Sequence, residues 1–472
     1  MKKRTIPWLI SCLIAQPFAM AHAQPIAFDQ AWQIVQNDND SLSASQANVQ
    51  RYQHLQHSKN DLNLPSISLS ANYTVLDKDV TVNGQQLADA TTGLEDISKI
   101  IGGIAGGLGL HLDPSAISTK MSDRAIFTSS IRAIWPIFTG GRITAAQNIA
   151  AGQADEARSQ FAMERQARFE DLSKYYFSVV LAKEVVATRQ AVEDGLTKHR
   201  DFAIKLEKQG QIAKVERLQA EASLDKARVD TKKATRDMEI AQAALASLLN
   251  QQDIELDSSL FINQTLPPLS AFVSQTLATY PGLDILDAKQ KQAANLVKAE
   301  EGKYYPDVYL YGDYTVYEHE SLASQMKPDW LVGIGVNVPL LDTSGRSDRA
   351  QAAHSAVRQV QFLRTQAEKD LQVLVEKTYL AAEQAVEEVN GLESSLHLAK
   401  ENLNLRSKAF TQGLSNSLEV VDAELYLASI QTQQHLARFN YLIALNKLLA
   451  LSNEMNTFDQ YETRANTKKD NS

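Results

Sequence analysis

The sequence predicts a mainly α-helical chain with transmembrane β-strands, built as a duplicated helix-strand-strand-long-helix repeat. Three observations predict it. The chain is written twice in the same order. Four segments alternate apolar and polar residues over roughly 9–10 positions, the length a tilted strand needs to cross a bilayer. Two stretches, Arg142 to Asn250 and Arg346 to Leu451, lack proline and are rich in Ala, Gln, Glu, Lys and Leu, which are strong helix formers.

Composition sets the outer bounds. The 472 residues are 44% hydrophobic and 22% charged, which describes a folded chain rather than a disordered one. A formal net charge of -9 argues against nucleic acid as a partner, because phosphate binding needs a basic surface. Cys12 is the one cysteine, so neither a disulfide framework nor a Cys-based metal site is expected.

The first segment, residues 1–23, reads as a secretory signal. Lys2, Lys3 and Arg4 form a basic start, an apolar run follows from Ile6 to Ala21, and Ala21-His22-Ala23 fits the small-x-small cleavage rule. Cleavage after Ala23 removes Cys12 and those three cations, which leaves a net charge of -12. Leu9-Ile10-Ser11-Cys12 also resembles a lipobox, which would make Cys12 a lipidated N-terminus. Simple cleavage is preferred, because the apolar run continues well beyond Cys12. After the signal no run of 18 apolar residues occurs, so no transmembrane helix is expected. An exported chain of this kind is either soluble in the periplasm or a β-barrel.

The duplication is read directly. Leu64-Pro65 through Val75 aligns with Tyr305-Pro306 through Val316, and Trp135-Pro136-Ile137-Phe138 with Val338-Pro339-Leu340-Leu341. Gly141-Arg142 aligns with Gly345-Arg346, Gln209-Gly210 with Gln412-Gly413, and Ala220-Glu221 with Ala423-Glu424. The first repeat takes residues 24–266 and the second 267–456, with the boundary near Leu266-Pro267-Pro268. The polar stretch 457–472 is expected to be a disordered tail.

Strands are expected at 66–75, 127–135, 307–317 and 330–338. In the first, Ile67, Leu69, Ala71, Tyr73 and Val75 alternate with Ser66, Ser68, Ser70, Asn72 and Thr74. The second alternates with Ser129 and Ile134 as exceptions. In the third, Val308, Leu310, Tyr314 and Val316 share a face, and in the fourth Trp330, Val332, Ile334, Val336 and Val338 do. Tyr73, Trp135, Tyr314 and Trp330 suit an interfacial girdle. A soluble sandwich remains the competing reading of the strands alone. Four strands cannot close a transmembrane barrel, since the smallest single-chain examples have about eight. Open edges in lipid leave backbone groups unpaired, so several chains must share one barrel.

Loops join the strands. One runs over 76–126 and carries Gly102, Gly103, Gly106, Gly107 and Gly109; it lacks the lysine and spacing of a phosphate cradle. The other, over Glu318 to Asp329, is short. The helical stretches each break once, at Gly210 and Gly413. An arm from Arg142 to Leu206 would span roughly 100 Å at about 1.5 Å per residue. Apolar residues at three- and four-residue steps, such as Leu218, Ala222 and Val229, with Asp225 a polar exception, suit coiled-coil packing. No nucleophile or zinc-protease signature occurs, and His54 and His57 read as a surface pair. No enzymatic activity and no cofactor is expected.

The chain from Ile26 to Leu451 resembles the TolC family of outer-membrane efflux and secretion channels. The resemblance rests on the duplicated plan and on Pro65, Pro136, Pro306 and Pro339 at strand-helix junctions. It rests also on the turns Gly140-Gly141-Arg142 and Ser344-Gly345-Arg346, and on the block from Phe410 to Ala423. It implies a homotrimer whose three chains share a twelve-strand β-barrel in the outer membrane of a Gram-negative bacterium. A long α-helical barrel would continue into the periplasm. It implies a passive exit duct for multidrug efflux or type I secretion. Its partners would be a periplasmic adaptor and an inner-membrane pump, proton-driven or ATP-driven. Glu419 and Asp422 match acidic positions that line the family's constriction, and a spacing of three puts both on one helical face. Glu216, Phe410 and Ser415 match positions used in tip-closing contacts. Phe410 stands where a tyrosine is common and Ser415 where an arginine is common, which puts the usual closing bonds in doubt. Gln209-Gly210 and Gln412-Gly413 match the adaptor-docking turns, with glutamine in place of the usual valine. The rival reading from another class is a coiled-coil scaffold or adhesin without a pore.

Overall fold

A computed structural model describes residues 25–83, 118–252, 254–341 and 343–469, together with Gln86 and Gly107. The expected signal segment and the lipobox lie outside the described residues, as does most of the glycine-bearing segment near 102–109. The chain forms two compact units.

One unit takes residues from Asn48–Arg158 and Asp284–Thr365. Its centre is an antiparallel sheet of β1 (Ser66–Val75), β4 (Ala125–Phe138), β5 (Asp307–Glu318) and β6 (Trp330–Asn337), in the order β1-β4-β5-β6. The register sorts the side chains onto two faces. Leu69 pairs with Ile131, Ile131 with Tyr314, and Tyr314 with Trp330. Ile67, Val332, Ile334 and Val336 lie on this same face, and all are exposed. The opposite face is polar. Ser68 pairs with Arg132 and Arg132 with Asp313, where the Arg132 Nε donates to Asp313 Oδ2 at 3.1 Å. Ser70 and Ser130 hydroxyls meet at 3.2 Å on it. The two exceptions in the sequence pattern stay exceptions: Ser129 falls on the apolar face beside Ala71, and Ile134 on the polar face beside Ser66 and Tyr311. Tyr309 and Tyr311 pair with Gly335 and Gly333. A Cβ on either glycine would meet the tyrosine ring at 2.3–2.6 Å, so the glycines let the rings lie flat across the strand. Pro136 lacks an N–H, and the register to β5 shifts between Pro136 and Phe138.

The segment expected to be a plain loop over 76–126 contains a second, two-stranded sheet. In it β2 (Val80–Asn83) pairs antiparallel with β3 (Ser118–Ser122). Val80, Thr81 and Val82 favour a strand, but four residues are too few to show a period. Lys120 ties the ribbon by contacting Asp79 at 2.9 Å and also Asp123, and His319 reaches Asp123 at 3.0 Å. The expected short loop from Glu318 holds one helical turn, Leu322–Gln325, capped by Ser321, whose Oγ accepts from Ser324 N at 3.0 Å. The sheet joins the long helices through tight turns. Gly140 has φ +60°, and a Cβ there would come 2.2 Å from the Gly302 carbonyl, so only glycine fits. Arg142 then pairs with Asp307, and the Arg346 guanidinium lies 4.9 Å over the Tyr304 ring.

The other unit takes residues 25–47, Ser159–Leu283 and 366–469. Short helices α1 (Phe28–Asp38) and α2 (Asp40–Asn60) open the chain. The long helices are α3 (Arg142–Lys208, 67 residues) and α4 (Lys214–Leu249) in the first repeat. After α5 (Leu269–Thr279) and α6 (Pro281–Glu301), the second repeat has α8 (Arg346–Thr411, 66 residues) and α9 (Ser417–Leu451); the turn at Leu322–Gln325 is α7. Phe28 anchors the aromatic core of this unit, with ring centroids 5.5 Å from Phe169, 5.1 Å from Phe177 and 4.5 Å from Phe458. The Tyr176 hydroxyl donates to the Ile26 carbonyl at 2.6 Å.

The tail corrects an expectation. Residues 458–469 are not disordered; they form the helix α10 (Phe458–Lys469). Phe458 and Tyr461, three apart, are buried in the core, and Asn263 Nδ2 donates to the Tyr461 carbonyl at 3.0 Å. Burying a Phe side chain contributes about 1.5–3 kcal/mol, enough to order a polar helix that presents one apolar edge.

Candidate functional site

The residues singled out by sequence gather where α3 turns into α4 and α8 turns into α9. Both turns have the same build. Gly210 has φ +69° and Gly413 +74°. Gln211 N donates to Leu206 O at 2.9 Å, and Leu414 N to Ala409 O at 2.9 Å. This is the left-handed helix stop that glycine favours. Among the described residues, nothing lies within 4 Å of a Cβ placed on either glycine. Gln209, Gly210, Gln412 and Gly413 are all exposed.

The start of α9 organises the rest. Asn416 caps it, its side chain accepting from Glu419 N at 2.9 Å. Glu419 sits at the third helical position. Its carboxylate accepts from Ser415 Oγ at 2.6 Å and from Asn416 Nδ2 at 3.3 Å, and pairs with the Arg406 guanidinium. The Ser415 hydroxyl, then Arg406, hold this carboxyl below the usual range. Asp422 lies three residues on, exposed, with no partner among the described residues. Sequence reasoning missed Arg406. Ser415 lacks the guanidinium that the resemblance leads one to expect there, and Arg406 brings one to Glu419 from the last turns of α8.

Glu216 on α4 reaches across to α9. Its Oε2 accepts from the Ser417 backbone N–H at 2.7 Å, one of the donors a helix start leaves open. Ser417 is fully buried, and its Oγ meets His199 Nε2 at 2.7 Å. The His199 ring in turn packs 4.4 Å from the Phe410 ring. Burial pushes the His199 imidazole down to about 4, although Glu216 pulls the other way. Phe410 fills a closed cluster with Ala203, Leu206, Ala220 and Val420. The structure therefore brings the predicted residues into two contact sets at the start of α9: Glu216 and Phe410 joined through Ser417 and His199, and Ser415 and Glu419 joined with Arg406. Sequence reasoning missed His199 too; the signal that could have found it is its place as a polar residue on the apolar stripe Leu196, His199, Ala203, Leu206. Among the described residues, no group of three His, Cys, Asp or Glu could hold a metal ion, and no helix is long and apolar enough to cross a membrane.

A four-strand sheet with one apolar and one polar face, joined by glycine turns to paired helices of this length, defines the fold of outer-membrane channel subunits. The chain belongs to the outer membrane efflux protein family, whose sequence profile matches residues 32–251 and 272–454. Its place is the outer membrane, and the family is one of channels rather than enzymes. No curated protein sequence matches it. Solved structures share the fold. The outer membrane protein VceC of Vibrio cholerae is 14% identical, with a TM-score of 0.71 over 90% of this chain and 96% of that one. The open-state MtrE channel of Neisseria gonorrhoeae is 18% identical, with a TM-score of 0.69 over 91% and 89%. The CmeC channel of Campylobacter jejuni is 12% identical, with a TM-score of 0.71 over 98% of each chain.

Proposed function

We propose that this chain forms a homotrimeric exit duct in the outer membrane, passive and gated where its long helices turn. The observation that carries the reading is the sheet. Its apolar face is continuous over four strands, while β1 and β6 end it with unpaired edges. Edges in lipid are costly, and further copies of the same sheet would cap them. The long helices support this, since Leu218, Val229 and Ile240 on α4 and Leu398 and Leu405 on α8 stay exposed in one chain. Glu419 and Asp422 would ring the narrow end of the duct, where like charges favour cations and oppose closure. The contacts of Glu216, Phe410 and Ser415 would hold that end shut. The exposed Gln209-Gly210 and Gln412-Gly413 turns are where a periplasmic adaptor would dock, linking the duct to an inner-membrane pump of an efflux or type I secretion system. Native mass spectrometry of the detergent-extracted protein tests the assembly. Three copies are expected; a monomer or dimer as the intact species would sink the shared barrel.

A further inference from the structure

Five residues beyond Glu419, a second carboxyl enters the seam between α3 and α9. Glu424 leans on Gly195. A Cβ built on Gly195 would lie 2.7–3.0 Å from the Glu424 carboxylate carbon and oxygens. Glycine in a helix interior costs about 1 kcal/mol relative to alanine. Here its missing side chain is the space that the carboxyl occupies. The surroundings are apolar: Val192 and Leu196 on α3, Leu224 and Ala227 on α4, and Val421 and Ala428 on α9 form one buried cluster, with Gly195 inside its α3 stretch and the half-buried Glu424 between Val421 and Ala428. Lys198 on α3 is the cation that faces the carboxyl, and it is itself exposed. The neighbouring ion pairs leave Glu424 out: Arg228 with Glu193 and Arg217 with Glu207 join α3 to α4, and Arg217 also pairs with Glu221 within α4. Toward the start of α9, Asp422 lies exposed two residues before Glu424, and His199 and Glu216 are both engaged with Ser417. The carboxylate oxygens have no hydrogen-bond donor among the described residues.

We propose that Glu424, seated on Gly195, is a proton-binding latch between α3 and α9 that closes this seam when protonated and loosens it when ionised. A neutral carboxyl fits an apolar seam, whereas an unpaired carboxylate there is strongly disfavoured. Burial pushes the Glu424 carboxyl up to about 7, with Lys198 opposing it. A raised carboxyl pKa makes the seam's stability complete below the ordinary value of 4.5 and lost as pH rises through about 7. His199, held at about 4, stays neutral across that window and does not contribute. The inference concerns a seam within one chain and does not require a pore.

Amide hydrogen exchange tests it on the whole protein in nanodiscs, independently of conductance. Exchange of residues 192–199 and 420–428, corrected for intrinsic rates, is compared between about pH 5.5 and about pH 8.5. The wild type is expected to exchange about ten- to thirty-fold faster at the higher pH. Glu424→Gln, a neutral isostere, is expected to stay protected at both. Lys198→Gln removes the opposing cation and is expected to move the midpoint to higher pH. Flat exchange in the wild type, a response retained in Glu424→Gln, or an unmoved midpoint in Lys198→Gln would each overturn the latch.

Discussion

Two acidic residues three apart meet different surroundings. Glu419 shares its charge with Arg406 and accepts from Ser415, whereas Asp422 is exposed and free of partners among the described residues. Asp422→Asn should therefore reduce cation preference in single-channel recordings more than Glu419→Gln does. Equal effects would mean that Arg406 leaves Glu419 when chains assemble. Glu419 also gives a pH dependence with a definite sign. Its carboxyl lies below the ordinary 4.5, so its stabilising effect is present above that value and fades as pH falls through the folded value. The start of α9 should loosen below about pH 4.5, read as faster amide exchange over 416–420. Ser415→Ala removes the hydroxyl that does most to hold the carboxyl down, so the loosening should still begin near about pH 4.5 but level off at a higher pH and be smaller in total. Loosening of the same size that levels off at the same pH in both proteins would contradict the assignment.

At the scale of elements, the paired turns depend on packing more than on polar bonds. Phe410 is wholly buried against α3, α4 and α9. Truncation to alanine removes that filling at a cost of about 3–5 kcal/mol. Phe410→Ala should unlock the turn, with exchange rising over both 199–210 and 410–420. A rise confined to one of them would show that the ring does not bridge the hairpins. The same residues show what the sequence could and could not reveal. The strands were legible because alternation over ten positions reports a face directly, and the observed register keeps even Ser129 and Ile134 on the faces that pattern gave them. The turns were legible because Gly210 and Gly413 interrupt long proline-free helices. The β2–β3 ribbon was not, since its strands are too short to carry a period. The helix α10 was missed because only Phe458 and Tyr461 mark its buried edge. Arg406 and His199 escaped because each acts through a partner distant in sequence. Arg406 meets a carboxylate 13 residues away across a turn, and His199 a serine 218 residues away.

For the whole molecule, duplication is the central economy. One plan of strands and long helices, used twice, yields a sheet with one apolar and one polar face, and two hairpins whose turns are built alike. Neither the sheet edges nor the exposed apolar residues of α4 and α8 are satisfied within one chain, which is why assembly is part of the proposed function. The most direct measurement is single-channel current across a planar bilayer containing the purified protein, beside a Glu419→Ala/Asp422→Ala variant. Discrete, cation-preferring steps are expected in the first and loss of that preference in the second. Protein shown to be folded and inserted that gives no steps would contradict the duct and leave a scaffold without a pore.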